Sequence, residues 1–146
     1  MIPPFNTLGN LPTGIYPSSW NEFVTRFGTN EHRKQLLSGL INATQILKKA
    51  GCVLIYVDGS FVTDKKFPND YDACWDIHGV NPNSLDQLML QFDDKSRALL
   101  KMKYFGDLFP AQLPEGKSGK AFIDFFQSDK FTGEMKGIVA LKPKTL

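Results

Sequence analysis

Two aspartates separated by one residue, Asp70 and Asp72, have the type and spacing best suited to chemistry on a bound ligand. They begin residues 70–78, where apolar and polar residues alternate as in a strand with one buried face. Residues two apart on a strand project from the same face, so the two carboxylates are expected side by side. Such a pair can hold divalent cations for phosphoryl transfer, since Mg²⁺ takes few carboxylates together with waters and substrate phosphates.

A glycine and a serine, Gly59 and Ser60, follow the apolar run of residues 52–57, which is predicted to be a strand buried on both faces. A small, flexible pair at this point lets backbone N–H groups and the serine hydroxyl approach a phosphate. Lys65 and Lys66 lie between this turn and the aspartate pair. They are candidate phosphate contacts.

A third carboxylate is expected from Asp124, in residues 121–127, which are predicted to form a strand. An aspartate among apolar residues is costly unless it is paired or bound to a metal. Asp76 is the alternative third acid, because it shares the predicted strand face of Asp70 and Asp72.

The remaining elements are predicted from capping signals, periodicity and turn residues. Residues 1–17 hold four prolines and are predicted to be an extended arm, and residues 18–146 a single domain. Helices are predicted from a capping box at residue 19 to about residue 28, over residues 31–50 and over residues 84–104. Residues 105–120 are predicted to be a loop, and the strands at 121–127 and 137–142 a terminal hairpin.

The composition argues against several classes of protein. Seventeen Lys and Arg against fifteen Asp and Glu give a net charge of +2, so a general nucleic-acid-coating role is not expected. The two cysteines, Cys52 and Cys74, form no C-x-x-C pair for a zinc ribbon or a thioredoxin-type site. The sequence shows no signal peptide and no apolar run of about 20 residues, so we expect a cytoplasmic protein without a membrane segment.

Gly59-Ser60, the nine residues after them, Asp70-Tyr71-Asp72 and the later Asp124 resemble the signature of the DNA polymerase β-like nucleotidyltransferase superfamily. The wider context resembles a bacterial family of small nucleotidyltransferase-like proteins, in residues 11–17, 20–23, 56–65, 70–72 and 125–130. The resemblance implies an α+β fold with a mixed β-sheet and helices packed on one face.

The resemblance also implies a site. Asp70, Asp72 and Asp124 would bind two Mg²⁺ ions, and Gly59 and Ser60 would contact the phosphates of a nucleoside triphosphate, with ATP as the expected substrate. The implied reaction transfers a nucleoside monophosphate to a hydroxyl acceptor and releases pyrophosphate.

The acceptor and the activity stay open at this point. A protein hydroxyl or a small molecule is expected rather than a long RNA, because the net charge is close to neutral. One alternative is a catalytically silent nucleotidyltransferase-fold protein that binds a partner through residues 1–17, as in a toxin–antitoxin or phage-defence pair. Another is a nucleotide sensor that binds without transferring.

Overall fold

The computed structural model describes residues 1–128 and 134–146. Within them lies a sheet of five strands in the order β1-β5-β2-β3-β4. The strands are β1 (Ile15–Ser18), β2 (Ile55–Asp58), β3 (Tyr71–Trp75), β4 (Gly106–Pro110) and β5 (Ile138–Leu141). β2 pairs antiparallel with both β3 and β5, whereas β1 with β5 and β3 with β4 pair parallel. The sheet is therefore mixed, and the expected α+β class is confirmed.

Three helices cover one face of this sheet. They are α1 (Trp20–Phe27), α2 (Glu31–Lys49) and α3 (Asp94–Tyr104), and their apolar residues form one continuous core with those of the strands. Gly39 lets α2 approach the end of α3 closely, because a Cβ there would collide with the main-chain carbonyl of Tyr104. None of the helices in the described part of the chain combines the length and apolar character that a membrane crossing requires.

A smaller apolar cluster lies on the opposite face of the sheet. Its buried members are Cys74, Phe109 and Ala111, and the four-residue helix α4 (Phe122–Phe125) packs close to it. Cys74 and Phe109 are partners in the β3–β4 register and alternate with residues of the main core, which places them on the other face. The three longer helices thus lie on one face, and α4 lies on the other.

The predicted loop at residues 105–120 is wrong at its start, where the buried strand β4 lies. Only Phe105 separates α3 from β4, and it closes the helix in the left-handed conformation, with φ of 67°. A glycine usually occupies this position. Because the sequence has phenylalanine there, the pattern did not mark the helix end or the strand beginning immediately after it.

The predicted strand at residues 121–127 is also wrong, because α4 occupies most of it. Short runs rich in phenylalanine and isoleucine fit either state, and here Phe122, Ile123 and Phe126 contact the smaller cluster at helical spacing. Within the described residues, the two segments do not pair as the strands of a hairpin, since β5 lies between β1 and β2, and an isolated antiparallel bridge joins Ser128 and Met135. The predicted turn between them, and part of the family-like segment 125–130, fall on residues 129–133, which lie outside the described residues.

The helix predicted over residues 84–104 is present only in its second half, as α3. Before it, the side chains of Asn81, Asp86 and Asp93 each accept a hydrogen bond from a main-chain N–H two or three residues ahead. These three successive caps divide the segment into two single 3₁₀ turns followed by α3.

Residues 1–17 pack against the domain, and their last three residues belong to β1. Ile2 and Leu11 are buried in the main core. The segment predicted to be an extended arm thus contains a turn at residues 7–8 and contributes an edge strand that pairs with β5.

Candidate functional site

Three aspartates form a row across three neighbouring strands. Asp58, the last residue of β2, pairs in register with Asp72 of β3, and Asp72 pairs with Asp107 of β4. Residues paired in this way share a sheet face and have Cβ atoms about 5 Å apart. The row lies on the face opposite the three longer helices, and both outer members, Asp58 and Asp107, are buried.

Two cations from α3 contact this group of acids. Lys101 Nζ lies 2.9 Å from Asp70 Oδ2 and 3.3 Å from Asp107 Oδ2, and Arg97 Nη2 lies 3.9 Å from Asp107 Oδ2. Desolvation alone would lower the pKa of Lys101, but the hydrogen bond to Asp70 and the charge of Asp107 raise it overall. Lys101 therefore carries a positive charge and links Asp70, which precedes β3, to the carboxylate row.

Burial and like charge both act on the central acids. Burial, followed by the charge of Asp72, raises the pKa of Asp58 well above its usual value. Burial, followed by the charges of Asp70 and Asp107, raises the pKa of Asp72 to about 6. Asp58 Oδ1 is buried and has no hydrogen-bond partner among the described residues. Crowded, partly unsatisfied carboxylates of this kind are stabilised by an additional cation.

Gly59 brings the main chain directly against Asp72. It has φ of +77°, and a Cβ at this position would lie 2.5 Å from Asp72 Oδ2. Glycine is therefore required twice, for the backbone conformation and for the approach. The single 3₁₀ turn Gly59–Val62 follows at once, so Ser60 stands beside the carboxylate row.

An open cleft of about 1310 Å³ lies over these residues. Its lining contains the acids and the glycine–serine turn, four cationic side chains and a group of aromatic residues. The acids and the turn are Asp58, Gly59, Ser60, Asp70, Asp72 and Asp107. The cationic side chains are Lys65, Arg97, Lys117 and Lys136. The aromatic residues are Phe92, Phe109, Phe122, Phe125 and Phe126. The cleft thus joins an acidic floor, a cationic rim and an aromatic wall.

Comparison with family models identifies the family. Residues 3–142 match the model of DUF6932, a family of unknown function. The chain belongs to DUF6932. The matched range contains every cleft-lining residue given above. Comparisons with curated proteins and with solved structures found no match.

The DUF6932 chain brings most of the sequence-predicted site residues together. Gly59, Ser60, Lys65, Asp70 and Asp72 all line the cleft. The described residues that line the cleft do not include three other candidates, Lys66, Asp76 and Asp124.

Those three candidates have other surroundings. The ammonium of Lys66 lies over the ring of Phe67, 5.4 Å from its centroid. Asp76 follows the far end of β3, where its Oδ1 accepts hydrogen bonds from His78 and Gln112. Asp124 is exposed on α4. Its charge acts on Cys74, whose pKa is raised by burial first, then by Asp58 and then by Asp124.

Sequence reasoning missed Asp58 and Asp107 as site residues, together with their cationic neighbours. Asp107 was hidden because its strand was predicted to be a loop, although an aspartate before Leu108 and Phe109 repeats the pattern used to choose Asp124. Arg97 and Lys101 are spaced i, i+4 on one helix face, a signal for neighbouring charges that becomes informative once α3 is known to lead into β4.

The acids suit Mg²⁺ in their chemistry. As they stand, the described residues contain no group of three or more His, Cys, Asp or Glu side chains arranged to hold a metal ion. Mg²⁺ does not require such a cage, because it is usually bound by one or two carboxylates, waters and substrate phosphates. The buried, unpartnered Asp58 Oδ1 and the oxygen-only donors fit this mode of binding.

The raised pKa of Asp72 leads to an expected pH dependence of stability. Because the folded-state pKa of about 6 exceeds the ordinary value of 3.8, the folded protein binds this proton more tightly than the unfolded chain. The stabilisation is complete below pH 4 and is lost as the pH rises through 6. We expect the contribution of Asp72 to the free energy of unfolding in metal-free buffer to fall by about 3 kcal/mol over this range.

Urea unfolding at pH 4 and pH 7 measures this fall. The Asp72→Asn variant is the control, because Asp58, whose pKa is also raised, still titrates in it. We expect the change in stability between the two pH values to differ by about 3 kcal/mol between the wild type and the variant, and an equal change in both would contradict the assignment.

Proposed function

We propose that this protein is a Mg²⁺-dependent nucleotidyltransferase that moves a nucleoside monophosphate from a nucleoside triphosphate to a hydroxyl acceptor. The observation that carries the proposal is the contact between Gly59 and Asp72, which sets a glycine–serine turn beside a row of carboxylates in one open cleft. A phosphate-binding turn and metal-binding acids are the two parts that phosphoryl transfer needs side by side.

The carboxylates form the cation-binding side of the proposed site. Asp72 and Asp107 would hold Mg²⁺ together with waters and substrate phosphates, and Asp70, which Lys101 contacts, would stand beside them. Bound Mg²⁺ neutralises charge on the triphosphate and favours ionisation of the attacking hydroxyl. The structure supports Asp107 as the third acid because Asp107 is in register with Asp72, whereas Asp124 is exposed on α4.

The turn and the cationic rim form the phosphate-binding side. Ser60 offers its hydroxyl, and Lys65 and Lys136 offer positive charge within the same cleft. The charge of Lys136 lowers the pKa values of Asp58 and Asp72 against the larger upward effect of burial, which places this lysine near both acids. The β- and γ-phosphates would therefore lie at the β2 side of the cleft.

The reaction is a displacement at the α-phosphorus. The acceptor oxygen forms a bond to the α-phosphorus while the bond from that phosphorus to the bridging oxygen of pyrophosphate breaks. A carboxylate of the row accepts the proton of the acceptor hydroxyl, and pyrophosphate leaves past Lys65 and Lys136. The chain's own contribution is to position the two reactants and to place charge around the triphosphate.

The arm that suggested a partner-binding protein is used within the chain itself. Ile2 and Leu11 are buried in the core, the Ile2 N–H donates to the Glu22 carboxylate, and the Asp64 N–H donates to the Gly9 carbonyl. These contacts argue against a scaffold whose N-terminal arm stays free to bind a partner.

Isothermal titration tests the proposal. The purified protein is titrated with non-hydrolysable ATP and GTP analogues, in Mg²⁺ and again in EDTA. We expect binding in Mg²⁺ that disappears in EDTA, because the acids repel a triphosphate unless a cation lies between them. An absence of binding in both buffers, or binding of equal strength in both, would contradict the proposal.

A further inference from the structure

The carboxylate row continues into an aromatic wall on the same face of the sheet. Phe109 lies two residues beyond Asp107 on β4, about 7 Å along the strand. Its ring stacks on that of Phe122, with centroids 4.3 Å apart and planes inclined by 5°. The guanidinium of Arg97 covers Phe109 at 5.0 Å from the ring centroid while also contacting Asp107. Arg97 thus joins the acidic and aromatic parts of the cleft.

Several rings of this wall remain accessible. Phe92 is 44% exposed, and Phe125 is half-buried, with its nearest ring contact to Phe126 at 5.6 Å between centroids. Both line the cleft, as do the apolar residues Leu113 and Pro114. Flat apolar surface that stays open beside a charged floor indicates a ligand with an aromatic part attached to an anionic part.

We propose that the aromatic wall is the nucleobase subsite, in which Phe92 and Phe125 contact the base. This assignment rests on the proposed function, because the proposed position of the phosphates sets the orientation of the nucleotide in the cleft. With the β- and γ-phosphates at Ser60 and the α-phosphate at Asp72 and Asp107, the sugar would lie along β4 between Asp107 and Phe109. The base would then lie against the rings of Phe92 and Phe125.

The size of the cleft agrees with this assignment. Small-molecule pockets usually have volumes of about 300–1,000 Å³, and this cleft has about 1310 Å³. A nucleotide lying from Ser60 to Phe125 therefore leaves room for an acceptor. Stacking uses the face of a base and not its edge, so we expect ATP and GTP analogues to bind with similar strength.

Titration with two Mg²⁺-bound ligands separates the base from the phosphates. The ligands are a non-hydrolysable ATP analogue and inorganic tripolyphosphate, which lacks sugar and base. We expect the wild-type protein to bind the ATP analogue at least about tenfold more tightly. We expect Phe92→Leu and Phe125→Leu each to lower the affinity for the ATP analogue about tenfold and to leave the affinity for tripolyphosphate unchanged. Unchanged tripolyphosphate binding also shows that the variant is folded.

Phe67→Leu is the matched control, because Phe67 is 56% exposed and lies outside the cleft lining. This variant is expected to bind both ligands with wild-type affinity. Equal affinity of the wild type for the two ligands overturns the base subsite while leaving the phosphate site intact. Phenylalanine variants that weaken both ligands alike, or neither, also overturn it. If neither ligand binds the wild type, the proposed function itself fails, and the subsite with it.

Discussion

Replacing Asp107 with asparagine is expected to abolish Mg²⁺-dependent nucleotide binding and to lower nucleotidyl transfer at least about 100-fold. Asp107 is paired with Asp72 across β3 and β4, is 7% exposed and contacts Lys101. Asparagine keeps the shape of the side chain but removes the charge, so a loss of metal binding without unfolding is expected. Asp72→Asn should have the same effect, because both carboxylates face the same cleft.

Asp124→Asn is the control that distinguishes the two candidates for the third acid, Asp107 from the structure and Asp124 from the sequence. The sequence favours Asp124 as the third acid, whereas the structure places it exposed on α4. We expect titration of Asp124→Asn with the Mg²⁺-bound ATP analogue to match the wild type within about twofold. The opposite pattern, with binding lost in Asp124→Asn and kept in Asp107→Asn, would return the third acid to Asp124.

The contrast between these two aspartates shows which parts of the site were readable from the sequence. Local patterns were enough to find four of the site residues, because strand alternation and a turn can be recognised from a few consecutive residues. These residues are Gly59, Ser60, Asp70 and Asp72. Asp107 depends on long-range pairing. It reaches Asp72 only through the parallel register of β3 and β4, which a whole helix separates in the chain.

The same distinction applies to the fold. The helices α1 and α2 and the strands β2, β3 and β5 carry capping boxes, periodic apolar faces or apolar runs, and the sequence predicted all of them. β4 was missed because its boundary with α3 is a single left-handed phenylalanine, and the terminal hairpin was wrong because strand order is a tertiary property. The position of β5 between β1 and β2 leaves no local trace in residues 137–142.

Asp58 is an intermediate case, since its position was visible and its role was not. It directly precedes Gly59 and lies within the family-like segment 56–65, but no pattern in the sequence was a reason to choose it as a site residue. Its place in the row follows from the antiparallel register of β2 and β3, in which Asp58 faces Asp72. The raised pKa of Asp58, caused by burial and then by Asp72, follows from that register.

Arg33 connects the fold to the site through the main chain that follows Ser60. It lies in the first turn of α2, is 3% exposed, and its guanidinium donates hydrogen bonds to carbonyl oxygens of the chain. The donor–acceptor distances are 3.1 Å to Phe27, 2.8 Å to Phe61, 2.9 Å to Thr63 and, from Nε, 3.2 Å to Lys65. Burial lowers the pKa of Arg33, and the charge of Asp64 opposes that effect.

Replacing Arg33 with methionine is expected to lower the free energy of unfolding by about 3–5 kcal/mol, because it leaves several buried carbonyl groups without a donor. Arg26→Met is the matched control. Arg26 is half-buried, lies over Phe5 and donates to one carbonyl, that of Ile2, so a loss of about 1 kcal/mol is expected. Urea unfolding compares the two variants, and equal losses would contradict the role given to Arg33. Because three of the four carbonyls that Arg33 holds belong to residues 61–65, Arg33→Lys should fold but bind Mg²⁺-tripolyphosphate more weakly than Arg26→Lys. The residue that stabilises α2 against this segment would then also fix the turn that meets the phosphates.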